Sequence, residues 1–224
     1  MSLSPVSQNP PVDSVRRAVD WYSFSKRVID LVLGTIACVF ALPIVLAAAV
    51  AVTIESGGPQ FFRQERVGLD GRTFTMWKLR SMVCGNDDQE HREYVTAMLA
   101  GESSREASGL HKLDDRRVTR VGGFLRRTSI DELPQLLNVL RGEMSLVGPR
   151  PCLPWEVELY SPADQVRFNV KPGMTGLWQV SGRSRLPMTH ALELDRAYAL
   201  HRSLRADLKI LAKTIPAVLE RDAA

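Results

Sequence analysis

Asp131 and Glu132 stand side by side in RRTSIDELPQLLNVLRGEMSLVGPRP, residues 126–151, with Arg126 and Arg127 ahead of them and Arg150 behind. Adjacent carboxylates among cations suit phosphoryl chemistry in two ways. A carboxylate can attack phosphorus and carry it as an acyl phosphate. Its neighbour is a natural ligand for Mg2+, which takes oxygen donors and completes its shell with substrate phosphates. A structural reading competes, because Ser129-x-x-Glu132 has the spacing of a helix capping box, worth about 1 kcal/mol.

Pro134 bears on that choice. With Ser129 at the N-cap, Pro134 would be the fifth helical residue, where its missing N–H costs a hydrogen bond and its ring meets the preceding turn. With Asp131 at the N-cap, Pro134 becomes the third helical residue, which needs no intrahelical partner. Leu133, Leu136, Leu137 and Leu140 would then form one buried stripe, and the Asp131 carboxylate would sit where free N–H groups favour negative charge and can hold a phosphate. Spacing alone leaves capping and catalysis both open. Arg150 lies between Pro149 and Pro151, so its backbone is restricted from both sides, and a held guanidinium can donate two hydrogen bonds to a phosphate. An isolated Gly-Pro-Arg-Pro reads more simply as a proline-rich turn with a solvated arginine.

The elements that must position these groups are legible in outline. FFRQERV and TFTMWKLRSM, separated by GLDGR, predict a β-hairpin with an Asp-Gly turn. Alternation on its second strand puts Lys78 and Arg80 on one face, about 7 Å apart. Residues 84–110 form a polar insert, partly helical around Gln89 to Leu99. The Pro/Gly-rich runs VGPRPCLP and KPGMTGLWQVSGRSRLP precede two helices, at about Met188–Leu200 and Leu204–Glu220. Arg202, Arg205, Lys209 and Lys213 on the amphipathic C-terminal stretch suit either anionic head groups or plain solvent. The fold class expected is α+β.

Leu31–Ile54 is a run of 24 residues without a charge, more than the roughly 20 a helix needs to span a hydrocarbon core. A secretory signal has an apolar region of only about 7–15 residues. Pro43 interrupts the run and frees the carbonyl of Val39. Four Lys/Arg precede the run (Arg16, Arg17, Lys26, Arg27) and three follow (Arg63, Arg66, Arg72), so charge does not orient it. A segment that dips in, turns at Ala41-Leu42-Pro43 and returns to the same face, and a kinked through-span, both remain open. Trp21, Tyr22 and Phe24 beside Lys26 and Arg27 read as an interfacial anchor, behind a mobile Ser/Pro-rich leader over residues 1–20.

Composition narrows the classes. The chain has 224 residues, a net charge of +4, three cysteines and four histidines. The cysteines show neither a disulfide framework nor CxxC spacing, and the histidines show no HExxH, which argues against a zinc enzyme. Lys112, Arg116, Arg117, Arg120, Arg126 and Arg127 make residues 111–127 locally cationic, which suits an anionic partner. Nucleic acid fits poorly with a membrane segment and no recognised binding motif.

Three blocks, KLRSM, RRTSIDELPQLLNVLRGEMSLVGPRP and KPGMTGLWQVSGR, resemble the signature of the bacterial sugar transferase family, the monotopic phosphoglycosyl transferases. They occur in the family's order behind an apolar segment, and the resemblance runs from about Ser25 to Glu220. It implies transfer of a hexose-1-phosphate, galactose or glucose, from a UDP-sugar to undecaprenyl phosphate with release of UMP, as the first membrane step of exopolysaccharide or other glycoconjugate synthesis. It implies a ping-pong cycle in which Asp131 is the nucleophile and Glu132 its Mg2+-associated partner, the metal held by Asp131 and Glu132. Lys78, Arg80, Arg126 and Arg150 match basic positions expected to bind substrate phosphates. Gln179 and Arg183 match a region near the nucleotide or acceptor.

The implied organisation is a leader over residues 1–24, a re-entrant membrane helix-break-helix over residues 25–56 with Pro43 at the break, and a catalytic domain over residues 57–224. That domain would be compact and mixed helical, with a small β-hairpin and amphipathic interfacial helices, at the cytoplasmic face of the bacterial inner membrane. Homo-oligomerisation is left open. The break in many small members reads Ser-Pro, whereas Leu42-Pro43 stands here, so the geometry would rest on Pro43 alone. Larger relatives carry extra N-terminal membrane helices and a further domain, and this chain is expected to be the catalytic module by itself. A non-enzymatic membrane-anchored subunit of a polysaccharide assembly complex is the alternative.

Overall fold

The charge-free run becomes the central part of one long helix. In the computed structural model, which describes residues 21–83, 92–93, 95–96, 117–182 and 186–219, α1 spans Trp21–Ser56. Trp21–Phe24, placed in the leader by the sequence, are its first turn. α1 is the one helix among the described residues long and apolar enough to cross a membrane. It runs unbroken across Ala41-Leu42-Pro43, where a break was expected. A proline removes one rung of the hydrogen-bond ladder, which bends a helix without having to end it.

Its buried residues, Asp30, Gly34, Ala41, Ala48 and Val52, recur at intervals of four and seven and so share one face. Both ends of α1 are tied to the rest of the fold. Near the start, Lys26 pairs with Asp207 at 3.1 Å, and Arg27 donates to the carbonyls of Val139 and Leu140 at 2.7 and 2.8 Å. Asp30 Oδ1 accepts from Ser145 Oγ and Leu146 N, both at 3.0 Å. At the other end, Glu55 accepts from Val121 N at 3.0 Å. Between them Ile36, Val39, Phe40, Leu42, Ile44 and Leu46 are exposed.

The hairpin forms as its alternation and turn dictate. β1 (Phe61–Val67) and β2 (Thr73–Leu79) pair antiparallel, with Phe61 opposite Leu79 and Val67 opposite Thr73. Asp70 and Gly71 take the positive φ values, 56° and 73°, that this dipeptide tolerates. The outer edge of β2 is closed by a side chain. Asn138, fully buried, donates from Nδ2 to Thr75 O at 2.8 Å and accepts at Oδ1 from Trp77 N at 3.3 Å. One amide thus docks β2 on the helix that follows the carboxylate pair.

That helical region comprises α2 (Arg120–Thr128), a 3-10 segment Ile130–Gln135 and α3 (Leu136–Arg141). The Pro/Gly-rich blocks then form a parallel pair, β3 (Ser145–Val147) with β4 (Gly173–Thr175). Beyond it lie α4 (Leu177–Ser181), α5 (Met188–His201) and α6 (Leu204–Leu219), the last two close to the predicted spans. The segment expected to be helical around Gln89 to Leu99 lies largely outside the described residues. Ala48 and Val52 of α1 pack on Leu79 and Leu125. Val147, Val170, Tyr198, Ala199 and Ile210 make a second core cluster, and Val67, Cys152, Tyr160 and Leu192 a third.

Candidate active site

The carboxylate pair sits in a tight turn rather than at a helix N-cap. α2 stops at Thr128, and Ser129 turns left-handed with φ 57°, its N–H donating to Arg126 O at 3.3 Å. The 3-10 segment starts at Ile130, so Asp131 and Glu132 lie in its first turn, and the Ser129 side chain caps nothing. This corrects both capping expectations. Pro134 cannot donate, and the chain crosses it in three-residue turns before the α geometry begins at Leu136. The change of period also displaces the leucine stripe. Leu136 and Val139 are buried with Asn138, whereas Leu137 is exposed.

Around this turn four charges gather from three places in the chain. Asp131 is 8% exposed. Lys78 Nζ lies 2.9 Å from Glu132 Oε1, and an Arg150 guanidinium nitrogen lies 3.8 Å from the same oxygen. Burial draws the Lys78 pKa below the ordinary lysine value, Glu132 opposes this most strongly, Arg150 adds to it, and Asp131 works with Glu132. Lys78 thus answers electrostatically to all three of the others. The cluster combines two anionic groups with two cations, as a site that neutralises phosphate charge beside a carboxylate requires.

The other predicted residues are distributed differently. Arg80, two positions beyond Lys78, turns to the end of α1, where it donates to Ser56 Oγ at 2.8 Å and to Gly57 O. It therefore joins the charged strand to the apolar helix. Arg126 is exposed in the last turn of α2. Gln179 is buried in α4, and a Cβ on Gly176 would come 2.6 Å from its Oε1, so that glycine makes room for the amide. Arg183 lies outside the described residues.

Three charged residues that sequence reasoning missed underlie the Arg150 loop. Arg167 pairs with Asp195 at 2.9 Å and donates to Arg150 O at 2.5 Å, while Arg66 donates to Pro151 O at 3.1 Å. Burial draws Arg66 down to about 10, which leaves it charged near neutral pH. Burial works against the charge on Arg167 too and is the largest single influence, but Asp195 together with Tyr160, Cys152 and Glu156 outweighs it. One signal was available, since Asp195 shares the buried face of α5 with Ala191, Leu192, Tyr198 and Ala199, a charge placed in an apolar stripe.

Among the described residues no group of three or more His, Cys, Asp or Glu could hold an ion. Asp131 and Glu132 offer two adjacent hard-oxygen carboxylates, which fits Mg2+ shared with substrate phosphates and does not fit a protein-only cage.

An apolar helix long enough to cross a membrane, with a buried aspartate and a half-buried glutamate among cations, suits a membrane-associated protein with a site for phosphorylated substrates. The chain belongs to the bacterial sugar transferase family, whose model matches residues 21–221. It is 42% identical over 194 residues to the exopolysaccharide production protein ExoY of Sinorhizobium fredii, covering 87% of this chain and 85% of that one. It is 44% identical over 201 residues to the UDP-galactose-lipid carrier transferase of Erwinia amylovora, covering 90% of this chain but 42% of the relative. Identity to the UDP-glucose:undecaprenyl-phosphate glucose-1-phosphate transferase of Caulobacter vibrioides is 42% over 215 residues, covering 92% of this chain and 73% of that one.

Proposed function

We propose that this chain transfers a hexose-1-phosphate, galactose- or glucose-1-phosphate, from a UDP-sugar to undecaprenyl phosphate and releases UMP, opening exopolysaccharide or related glycoconjugate synthesis. The observation that carries the reading is the convergence of Lys78 and Arg150 on Glu132, beside a nearly buried Asp131. The names of the Erwinia and Caulobacter relatives supply the substrate classes.

In the first half of the cycle an Asp131 carboxylate oxygen attacks the sugar-bearing phosphorus. The bond from that phosphorus to the oxygen bridging it to UMP breaks, and UMP departs with the electron pair. In the second half an oxygen of the lipid phosphate attacks the same phosphorus, and the acyl-phosphate bond breaks to return the Asp131 carboxylate. No net oxidation occurs. Lys78 and Arg150 neutralise phosphate charge as it redistributes, from fixed positions that need no rearrangement. Mg2+ held by Asp131 and Glu132 would supply further charge neutralisation. The test is UMP release from a panel of UDP-sugars with undecaprenyl phosphate, and release with none of them contradicts the proposal.

Replacing Lys78 by Met removes the cation nearest Glu132. The expected loss in kcat/KM for the UDP-sugar is on the order of 10²-fold, with partial recovery in Lys78→Arg. Steady-state UMP release decides it, and unchanged kcat/KM would remove Lys78 from phosphate binding.

Features of α1 support a re-entrant membrane topology. Both of its ends hydrogen-bond to one domain while one face of its middle is exposed and apolar. Pro43 is exposed and Ala41 is buried, and a proline inside a helix is where it bends. A re-entrant helix that enters and leaves at the cytoplasmic face of the bacterial inner membrane accommodates all of this. Cysteines at Phe24 and Pro59, in a chain with Cys38, Cys84 and Cys152 replaced by serine, are expected to react with an impermeant maleimide only after the cytoplasmic face is opened. Labelling of one of them in intact cells would establish a through-span.

A further inference from the structure

Residues 149–152 are held almost entirely by their carbonyls. Pro149 and Pro151 have no N–H to give, yet four successive carbonyls each receive a donor from elsewhere in the fold. Pro149 O accepts from Gly173 N at 2.8 Å, and Cys152 O from Val67 N at 2.9 Å. The two between them are served by side chains. Arg150 O accepts from Arg167 at 2.5 Å and Pro151 O from Arg66 at 3.1 Å. The loop is thereby fixed to β4, to β1 and to the segment Asp164–Asn169, and the half-exposed Arg150 side chain points from it toward Glu132.

Arg167 is itself immobilised. Its side chain is 6% exposed, its partner Asp195 4%, and the guanidinium lies 5.0 Å from the Tyr160 ring and 5.9 Å from that of Phe168. One nitrogen of Arg167 donates both to Asp195 and to the Arg150 carbonyl. A buried ion pair contributes little stability over well-packed apolar groups, so its distinctive effect lies in what it fixes.

We propose that Arg167, held by Asp195, and Arg66 are positioning residues for the transfer reaction: they set the backbone of Arg150 so that its guanidinium meets substrate phosphate beside Glu132. The proposal rests on the reading of Arg150 as a phosphate ligand. Neither buried arginine is required to touch substrate. A guanidinium suits the task because it is planar, always charged and pre-organised, whereas a lysine ammonium is a point charge on a flexible stem.

A double-mutant cycle tests this on the purified full-length chain, with undecaprenyl phosphate and whichever of UDP-galactose and UDP-glucose turns over. Arg167→Met would leave Asp195 as an uncompensated buried charge, so Arg167→Lys is the variant, with circular dichroism to establish folding. Arg167→Lys is expected to lower kcat/KM about tenfold in the otherwise native chain and less than about twofold in an Arg150→Ala background, because residues acting as a unit are non-additive. Equal factors in the two backgrounds mean general destabilisation and overturn the positioning role, while Arg150 stays a phosphate ligand. An Arg150→Ala chain with native kcat/KM overturns both. Should Arg167→Lys fail to fold, the cycle with Arg66→Lys, acting through the Pro151 carbonyl, decides by the same two factors.

Discussion

Asp131→Asn is expected to abolish UMP release, with a fall in kcat on the order of 10⁴-fold or more, as removal of a covalent nucleophile produces. The substitution is nearly isosteric and keeps a hydrogen-bonding side chain. Asp131 is 8% exposed in a turn whose neighbours Pro134 and Gln135 are also buried, so a neutral amide there spares the cost of burying a charge. Stability is therefore expected to hold or rise while turnover disappears, and membrane association, which depends on α1, is expected to be unchanged. Thermal unfolding, membrane flotation and UMP release measured on one preparation separate these effects. A chain that kept polysaccharide export after the substitution would instead be acting as a non-enzymatic assembly subunit.

Gly173→Ala is expected to prevent stable folding. A Cβ at Gly173 would lie 2.0 Å from Gly148 N, 2.4 Å from Thr175 O and 2.7 Å from Gly148 Cα. All three are backbone atoms that no rotamer change can move. The strands they belong to are joined by Gly148 N donating to Thr175 O at 2.9 Å and Gly173 N to Pro149 O at 2.8 Å, so separating them also releases the Arg150 loop. Overpacking of this kind costs about 3 kcal/mol or more, a large part of the stability of an ordinary domain. Chemical denaturation of the purified variant measures the loss. A midpoint within experimental error of the native value would mean that the close approach between the two blocks does not hold the fold together.

These glycines show what a linear reading can and cannot reach. The hairpin was visible because alternation and an Asp-Gly turn are local signals, and α5 and α6 were visible because helical periodicity is local. The pairing of β3 with β4 joins segments 28 residues apart, Ser145 with Gly173, and each strand is only three residues long, too short for alternation to register. VGPRP and PGMTG therefore read as proline-rich turns, although their glycines mark a place where two backbones touch.

The acid pair was legible as chemistry and illegible as geometry. Its residue types beside Arg126, Arg127 and Arg150 were enough to point to phosphate. Its placement was hidden because Pro134 discriminates only between two α-helical registers, and the chain adopts neither. Arg80 shows the same limit. Alternation puts it with Lys78, but it lies one residue past the end of β2 and its guanidinium goes to the end of α1. Arg66 reads in sequence only as a flanking charge, and Arg167 and Asp195 as ordinary surface charges, because a charged residue is presumed solvated. Only the packing of α5 and of the segment Asp164–Asn169 reveals what they hold.

The central claim is that Asp131 becomes covalently bonded to the phosphorus that carries the sugar. Intact-mass spectrometry of the purified chain after incubation with the UDP-sugar alone, no lipid phosphate present, tests it most directly. A mass increase of one hexose phosphate is expected, with about one equivalent of UMP released, loss of the added mass on supplying undecaprenyl phosphate, and no increase in Asp131→Asn. An unmodified chain that releases UMP only when the lipid is present would establish direct transfer between the two substrates and contradict the account.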